Sequence, residues 1–216
     1  MAYLTIEGGR PLHGRIPVQC AKNSVLPVLA ATVLAGDTCR LTACPHLSDV
    51  ETAAEILRHL GCQAQWDGDD LLVDTTRITR WDIPEALMRR MRSSVIFLGA
   101  ILSRCGQAEL SYPGGCELGP RPIDLHLTAL RTLGADITEL GGSLLCRAAH
   151  LQGADIVLTL PSVGATENAI LAACGAEGVT VITNAAREPE IVDLQDFLQK
   201  MGVAIHGAGT SSITVQ

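Results

Sequence analysis

The sequence predicts one α/β domain built from three βαβαββ-like units around pseudo-threefold symmetry, with helices inside and sheets around them. Three observations predict it. One structural plan occurs three times along the chain. Each copy pairs a helix that is apolar nearly all round with a helix that keeps one polar face. Glycines fall in almost the same register in every copy. Such repetition marks units that bury their apolar faces against one another rather than alone.

The first unit, about residues 22–75, reads KNSVLPVLAATVLAG, DTCRLTACPHLSDVETAAEILRHLG and CQAQWDGDDLLVD. The second, about 92–148, reads RSSVIFLGAILSRCG, QAELSYPGGCELGPRPIDLHLTALRTLG and ADITELGGSLLCRA. The third, about 164–216, reads GATENAILAACGAEG, VTVITNAAREPEIVDLQDFLQKMG and VAIHGAGTSSITVQ. Residues 21–216 thus form the three-repeat domain, and residues 1–20 a preceding segment. Gly36, Gly106 and Gly178 follow one another at nearly equal intervals and are expected to close the first helices. Gly61, Gly134 and Gly202 keep almost the same spacing and are expected to close the second helices. Glycine suits the left-handed residue that ends many helices. VLPVLAATVLA, SVIFLGAIL and AILAACGA have no polar face and should be buried. SDVETAAEILRHL, PIDLHLTALRTL and PEIVDLQDFLQKM should cover the outside. ADITEL and VAIH alternate as half-buried strands do, and WDGDD, LGGSL and HGAGT carry hairpin-turn chemistry.

The repeat register also locates candidate chemistry. Counting back the same distance from Gly36, Gly106 and Gly178 reaches Lys22, Arg92 and Gly164, so the buried helices start K-N-S, R-S-S and G-A-T. Threefold packing would aim all three N-termini at one end of the domain. Helix N-termini offer free N–H groups and a partial positive charge, which suits anions. Lys22 and Arg92 add full charges, and Ser162-Val163-Gly164 lets backbone amides approach a phosphate closely. Taken singly, Ser24, Ser94 and Thr166 read as plain helix caps.

Composition bounds the partners. The chain has 216 residues, 47% hydrophobic and 18% charged, with net charge −7 and only 3% aromatics. Its mean hydropathy is +0.27 and its pI about 5.3. Such a chain folds rather than staying disordered. Its acidity disfavours a nucleic-acid or anionic-membrane partner, and the scarcity of aromatics argues against a base-stacking platform. No apolar run reaches the length of a membrane span, and MAYLTIEGGRPLHG lacks the basic and apolar regions of a signal peptide. The 8 cysteines are scattered without a C-x-x-C pair, so no zinc or thioredoxin motif is expected. They fit a reducing cytoplasm, and most read as small core residues. The histidines form no close metal-ligand pair. His59 and His126 are expected at the surface or boundary of amphipathic helices. Glu188 and Glu190 read as a charged loop and helix start, and Met88 and Met91 as gap-fillers at a helix edge.

One cysteine differs. The stretch from Gly106 to Gly134 in the second unit is longer than Gly36 to Gly61 in the first or Gly178 to Gly202 in the third, and the surplus falls in the loop PGGCELGPRP. Glycines and prolines make this a loop rather than a core element, and loops on rigid scaffolds often carry function. Cys116 follows two glycines and shares this loop with Arg121. With Lys22 and Arg92 nearby, that cation would favour a useful thiolate or proton donor, and Glu117 opposes it.

At these residues the chain resembles the UDP-N-acetylglucosamine 1-carboxyvinyltransferases, the enolpyruvyl transferases that begin peptidoglycan synthesis. The resemblance runs through AKNSVLPVLAA (21–31), MRSS (91–94), PGGCELGPRPIDLH (113–126), SVGATENAILAA (162–173) and NAAREPEIVDL (184–194). It implies an inside-out α/β barrel, or prism, of three repeats. It implies transfer of the enolpyruvyl group of phosphoenolpyruvate to the 3′-hydroxyl of UDP-N-acetylglucosamine, with release of phosphate, in the cytoplasm and without metal or cofactor. Carried onto this chain, Lys22 and Arg121 hold the phosphate and carboxylate of phosphoenolpyruvate. Asn23 and Arg92 orient both substrates. Arg121, Pro122, Ile123, Asp124 and Leu125 line the nucleotide-sugar side, and Ser162, Val163 and Gly164 meet the diphosphate. Cys116 becomes the acid of a mobile loop, read in the family either as proton donor or as an aid to product release, and the target of fosfomycin-type epoxides. Family members are about twice this long. Their second domain supplies a catalytic aspartate and further arginines, and pairs with a segment corresponding to residues 1–20. The expectation is therefore one half of such an enzyme, able at most to bind UDP-N-acetylglucosamine alone. The enolpyruvyl transferase of the shikimate pathway shares the architecture but lacks the cysteine loop.

Overall fold

The computed structural model describes residues 3–11, 13–111 and 123–216. Cys116, Arg121 and Pro122 lie outside these described residues. The fold is mixed α/β, with three separate sheets and a set of buried helices among the described residues.

Helix α1 (Lys22–Thr32) is apolar along its length and buries Val25, Leu26, Leu29, Ala30 and Ala31. Strand β1 (Thr38–Leu41), helix α2 (Ser48–His59) and strands β2 (Gln63–Asp67) and β3 (Asp70–Asp74) follow. The three strands form one antiparallel sheet in the order β1-β3-β2. Next come β4 (Asp82–Ile83), α3 (Glu85–Arg90), a 3₁₀ turn over Arg92–Ile96, α4 (Phe97–Cys105), β5 (Gln107–Ser111), α5 (Asp124–Thr132), β6 (Asp136–Leu140) and β7 (Ser143–Arg147). Their sheet runs β4-β5-β7-β6, with β4 parallel to β5. The chain ends in β8 (Asp155–Val157), α6 (Val163–Ala173), β9 (Thr180–Thr183), α7 (Pro189–Lys200), β10 (Ile205–His206) and β11 (Ser212–Val215), and the third sheet runs β10-β11-β9-β8. The order helix, strand, helix, strand, strand thus occurs three times.

Burial follows the two helix classes. Every residue of α6 from Ala165 to Ala173 is buried, including Thr166, Glu167 and Asn168. In contrast, α7 buries chiefly Ile191, Leu194 and Leu198, the spacing of one helical face. Each fully buried leucine or isoleucine contributes about 1.5–3 kcal/mol relative to exposure. The core therefore sits where α1, α4 and α6 meet the inner faces of the other helices and the sheets. The turn chemistry matches its sequence. Gly141 and Gly142 join β6 to β7 with φ of +60° and +82°, the left-handed pair that a type I′ hairpin requires.

Several expectations are corrected. Gly106 caps α4 directly, but Gly36 and Gly178 follow short turns beyond the helix ends at Thr32 and Ala173. The second buried helix does not start as an α-helix: Arg92–Ile96 wind as 3₁₀ before α4. The first unit lacks a leading strand, since the described part of residues 3–20 holds no strand and is exposed throughout. Ser24, Ser94 and Thr166 are not N-caps. Ser24 Oγ donates to Asp193 Oδ2 (2.5 Å), Ser94 Oγ to the Met91 carbonyl, and Thr166 Oγ1 to the Ser162 carbonyl (2.8 Å). Cys20 is exposed, and Cys39, Cys105 and Cys174 are only partly buried.

Candidate functional site

Five helices and the 3₁₀ turn leading into a sixth begin at one cleft of about 580 Å³. Lys22 and Asn23 come from the start of α1, Asp49 from α2 and Arg92 and Ser93 from the 3₁₀ turn. Ile123 precedes α5 and His126 lies in it, Ser162 precedes α6 and Val163 and Gly164 open it, and Glu190 comes from α7. Converging N-termini sum their partial positive charges and point first-turn N–H groups at a common space. Ala21 and Met91, which precede α1 and the 3₁₀ turn, make no side-chain cap. At α6 the Ser162 hydroxyl accepts from Ala165 N at 3.4 Å. Pro27, which also lines the cleft, has no N–H, so the Asn23 carbonyl loses its helical donor and stays available as an acceptor.

The structure brings together Lys22, Asn23, Arg92, Ile123, Ser162, Val163 and Gly164. Asp124 and Leu125 follow Ile123 in α5 but do not line the cleft. Cys116, Arg121 and Pro122, with the whole PGGCELGPRP loop, are not among the described residues.

Four features of the site are not readable from the sequence. Asp49 accepts a salt bridge from Lys22 Nζ at 2.9 Å, with the lysine half exposed, so the cation is held in place. Glu167 is 5% exposed on the wall of the cleft. Burial, reinforced by Glu190 and then Glu188, pushes its carboxyl up to about 8. His126, expected near the surface, is 8% exposed. Burial lowers it to about 4, against a smaller opposing effect of Asp124. Asn168, fully buried on α6, spans the break between the 3₁₀ turn and α4. Its Oδ1 accepts from Gly99 N (2.7 Å), and its Nδ2 donates to the Val95 carbonyl (2.8 Å). An unbroken helix would join that N–H and that carbonyl to each other. The amide stands in for the missing bond, which is why the helix starts as 3₁₀.

A second cavity of equal volume lies on the other side of α1, between β1 and α7. Its lining is largely apolar, and it gathers one helix start rather than six, so the chemistry favours the first. Among the described residues no cluster of three His, Cys, Asp or Glu could hold a metal, and no helix is long and apolar enough to cross a membrane.

The chain is similar to known proteins along nearly all of its length. Residues 6–216 match the family model described as EPSP synthase (3-phosphoshikimate 1-carboxyvinyltransferase). The chain is 49% identical over 216 residues to UDP-N-acetylglucosamine 1-carboxyvinyltransferase 2 of Caldanaerobacter subterraneus subsp. tengcongensis, covering all of this chain and 52% of the relative. It is 44% identical over 214 residues to UDP-N-acetylglucosamine 1-carboxyvinyltransferase of Deinococcus deserti, covering 99% of this chain and 50% of that one. The chain thus spans about half the length of the curated relatives it matches. Among solved structures, the enolpyruvyl transferase NikO from Streptomyces tendae superimposes with a TM-score of 0.82 at 25% identity, over 96% of this chain and 49% of that one. EPSP synthase from Acinetobacter baumannii shares the fold with a TM-score of 0.68 at 19% identity, over 94% of this chain and 47% of that one.

Proposed function

Because the chain belongs to the EPSP synthase family, we propose that it carries the anion-binding half-site of an enolpyruvyl transferase that uses phosphoenolpyruvate and UDP-N-acetylglucosamine. The reaction is the committed step of peptidoglycan synthesis, in the cytoplasm. One observation carries this reading: six helix starts, with Lys22 and Arg92, open onto one cleft. We propose further that the three units close into an inside-out α/β barrel around a pseudo-threefold axis. Residues 21–216 would form that domain, and residues 1–20 a segment pairing with a second domain. The identity of 44–49% to UDP-N-acetylglucosamine transferases favours the nucleotide sugar over the shikimate phosphate that the family description names.

The chemistry needs fixed cations and a positioned acid. The sugar 3′-hydroxyl loses its proton and adds to C2 of phosphoenolpyruvate while C3 gains a proton, and the tetrahedral adduct then loses a C3 proton and phosphate, which restores the C2–C3 double bond. Lys22 and Arg121 hold the phosphate and carboxylate. Lys22 is pre-oriented by Asp49, so its charge costs little reorganisation as the transition state forms. Asn23 and Arg92 orient both substrates. The amides at Ser162, Val163 and Gly164 take the diphosphate, and Arg121, Pro122, Ile123, Asp124 and Leu125 the nucleoside side, with Asp124 and Leu125 placed beyond the cleft itself. Cys116 delivers the C3 proton from its loop. The second domain of the relatives supplies the remaining groups, so the isolated chain binds UDP-N-acetylglucosamine without turnover.

Calorimetry tests this directly. UDP-N-acetylglucosamine should give a weak saturable heat, shikimate 3-phosphate none, and phosphoenolpyruvate with both should release no phosphate. Absence of nucleotide-sugar binding, or equal binding of the shikimate ester, would overturn the substrate assignment. Phosphate release would show that one half suffices. In an enzyme completed by a second domain, Cys116→Asp should retain measurable turnover but escape epoxide alkylation by intact mass. Complete loss of turnover would remove the acid role.

A further inference from the structure

We infer that Asn168 is a positioning residue for the cleft: its side-chain amide fixes His126 as the Nε2–H tautomer, with that N–H at the first turn of α6 for an anionic diphosphate oxygen. The oxygen belongs to the nucleotide sugar, so this part of the inference rests on the reading of the cleft given above.

The assignment follows from donors and acceptors. Gly99 N can only donate, and the Val95 carbonyl can only accept. They sit 2.7 and 2.8 Å from the two ends of the Asn168 amide. Oxygen must therefore face Gly99 and nitrogen must face Val95, so the usual ambiguity of an amide's orientation is absent. The same Nδ2 lies 2.7 Å from His126 Nδ1. An amide nitrogen donates and cannot accept, so Nδ1 of His126 must carry the lone pair. The proton of the neutral ring is then on Nε2. A protonated ring would set N–H against N–H₂ at that distance. Burial acts in the same direction, and the Asp124 carboxylate opposes it more weakly.

The donor points somewhere useful. A side chain built on Gly164 would meet His126 Cε1 at 3.0 Å and Nε2 at 3.3 Å, so the ring edge lies over the first turn of α6. His126 and Gly164 both line the cleft. The Nε2–H therefore adds a directed donor to the amides of Ser162-Val163-Gly164. Asn168 couples this donor to the 3₁₀ turn that carries Arg92, since one amide holds both.

Two measurements test the inference. Long-range ¹H–¹⁵N spectra of the ligand-free chain should show His126 with a bare Nδ1 and a protonated Nε2. An Nδ1–H ring, or an imidazolium at pH 7, would overturn it. The second measurement is affinity for UDP-N-acetylglucosamine. His126→Phe keeps the ring but loses the donor, and should weaken binding about tenfold or more, the scale of a hydrogen bond to a charged group. His126→Gln places an amide N–H near the position of Nε2 and should recover most of that loss. Equal affinity of His126→Phe and the unmodified chain would overturn the donor role. If the unmodified chain binds no nucleotide sugar yet shows the Nε2–H tautomer, the cleft reading fails while the positioning by Asn168 stands. Binding together with the wrong tautomer shows the reverse.

Discussion

Gly99→Ala is expected to destabilise the chain by about 2–3 kcal/mol, lowering its melting temperature by roughly 5–10 °C. Gly99 lies in α4 where that helix crosses α6. A Cβ there would stand 2.4 Å from the Asn168 carbonyl oxygen, 2.9 Å from its Oδ1 and 3.2 Å from Ala172 N. Backbone oxygen cannot swing aside as a side-chain tip can, so α4 must move off α6. The move also lengthens the 2.7 Å bond from Gly99 N to Asn168 Oδ1, and with it the repair of the 3₁₀ break. Alanine's better helix propensity returns up to about 1 kcal/mol, and the stated loss is net of that gain. Gly8→Ala is the control, because nothing approaches its Cβ within 4 Å. Denaturant melts of the three chains decide the matter. A Gly99→Ala midpoint equal to that of Gly8→Ala would show that the helix crossing is not tight at this point.

The same crossing shows why some of the site is legible in the sequence and some is not. Lys22, Arg92 and Gly164 stand out because the apolar helices and the glycine register repeat locally, and a register fixes which residue starts each helix. The chemistry of Asn168 is hidden. Its partners Gly99 and Val95 lie 69 and 73 residues away, and nothing in ENAILAA marks that asparagine as a bridge. His126 is misplaced by the sequence for a related reason. Its position in PIDLHLTAL reads as the edge of an amphipathic helix, and it becomes interior only because α6 covers α5. Asp49 and Glu190 do not stand out, because an acid in the first turn is the ordinary complement to a helix dipole. Only the convergence of α2 and α7 on the cleft brings them to the site. The short leading strands β4 and β8 are foreseeable only as part of a repeating plan, and they exist because β5 and β9 each offer a parallel edge. The first sheet, β1-β3-β2, has no such leading strand from the described part of residues 3–20.

Two buried groups on the cleft wall also set the pH dependence of stability, and they do so with opposite signs. His126 falls from 6.5 in the open chain to about 4 in the fold. Between those values the unfolded chain binds the extra proton, so stability rises with pH across that window. Glu167 goes the other way, from 4.5 to about 8. The folded chain keeps its proton after the unfolded chain has released it, so stability falls as pH rises from 4.5 to 8. The two effects cancel between pH 4.5 and 6.5, and above 6.5 only the loss from Glu167 remains. At about 1.4 kcal/mol per pH unit, stability should drop by about 2 kcal/mol between pH 6.5 and 8. The paired carboxylates Glu51, Glu55, Asp70, Asp74 and Asp82 are held below their ordinary values and so act on the acid side of this window. Glu167→Gln removes the titrating group at nearly constant shape. Urea melts of this variant from pH 6 to 8 should be flat where the unmodified chain declines, with the variant the more stable at pH 8. Parallel curves for the two chains would mean that Glu167 is already ionised beside Glu190, and that the cleft wall carries a further negative charge where an anionic substrate has to sit.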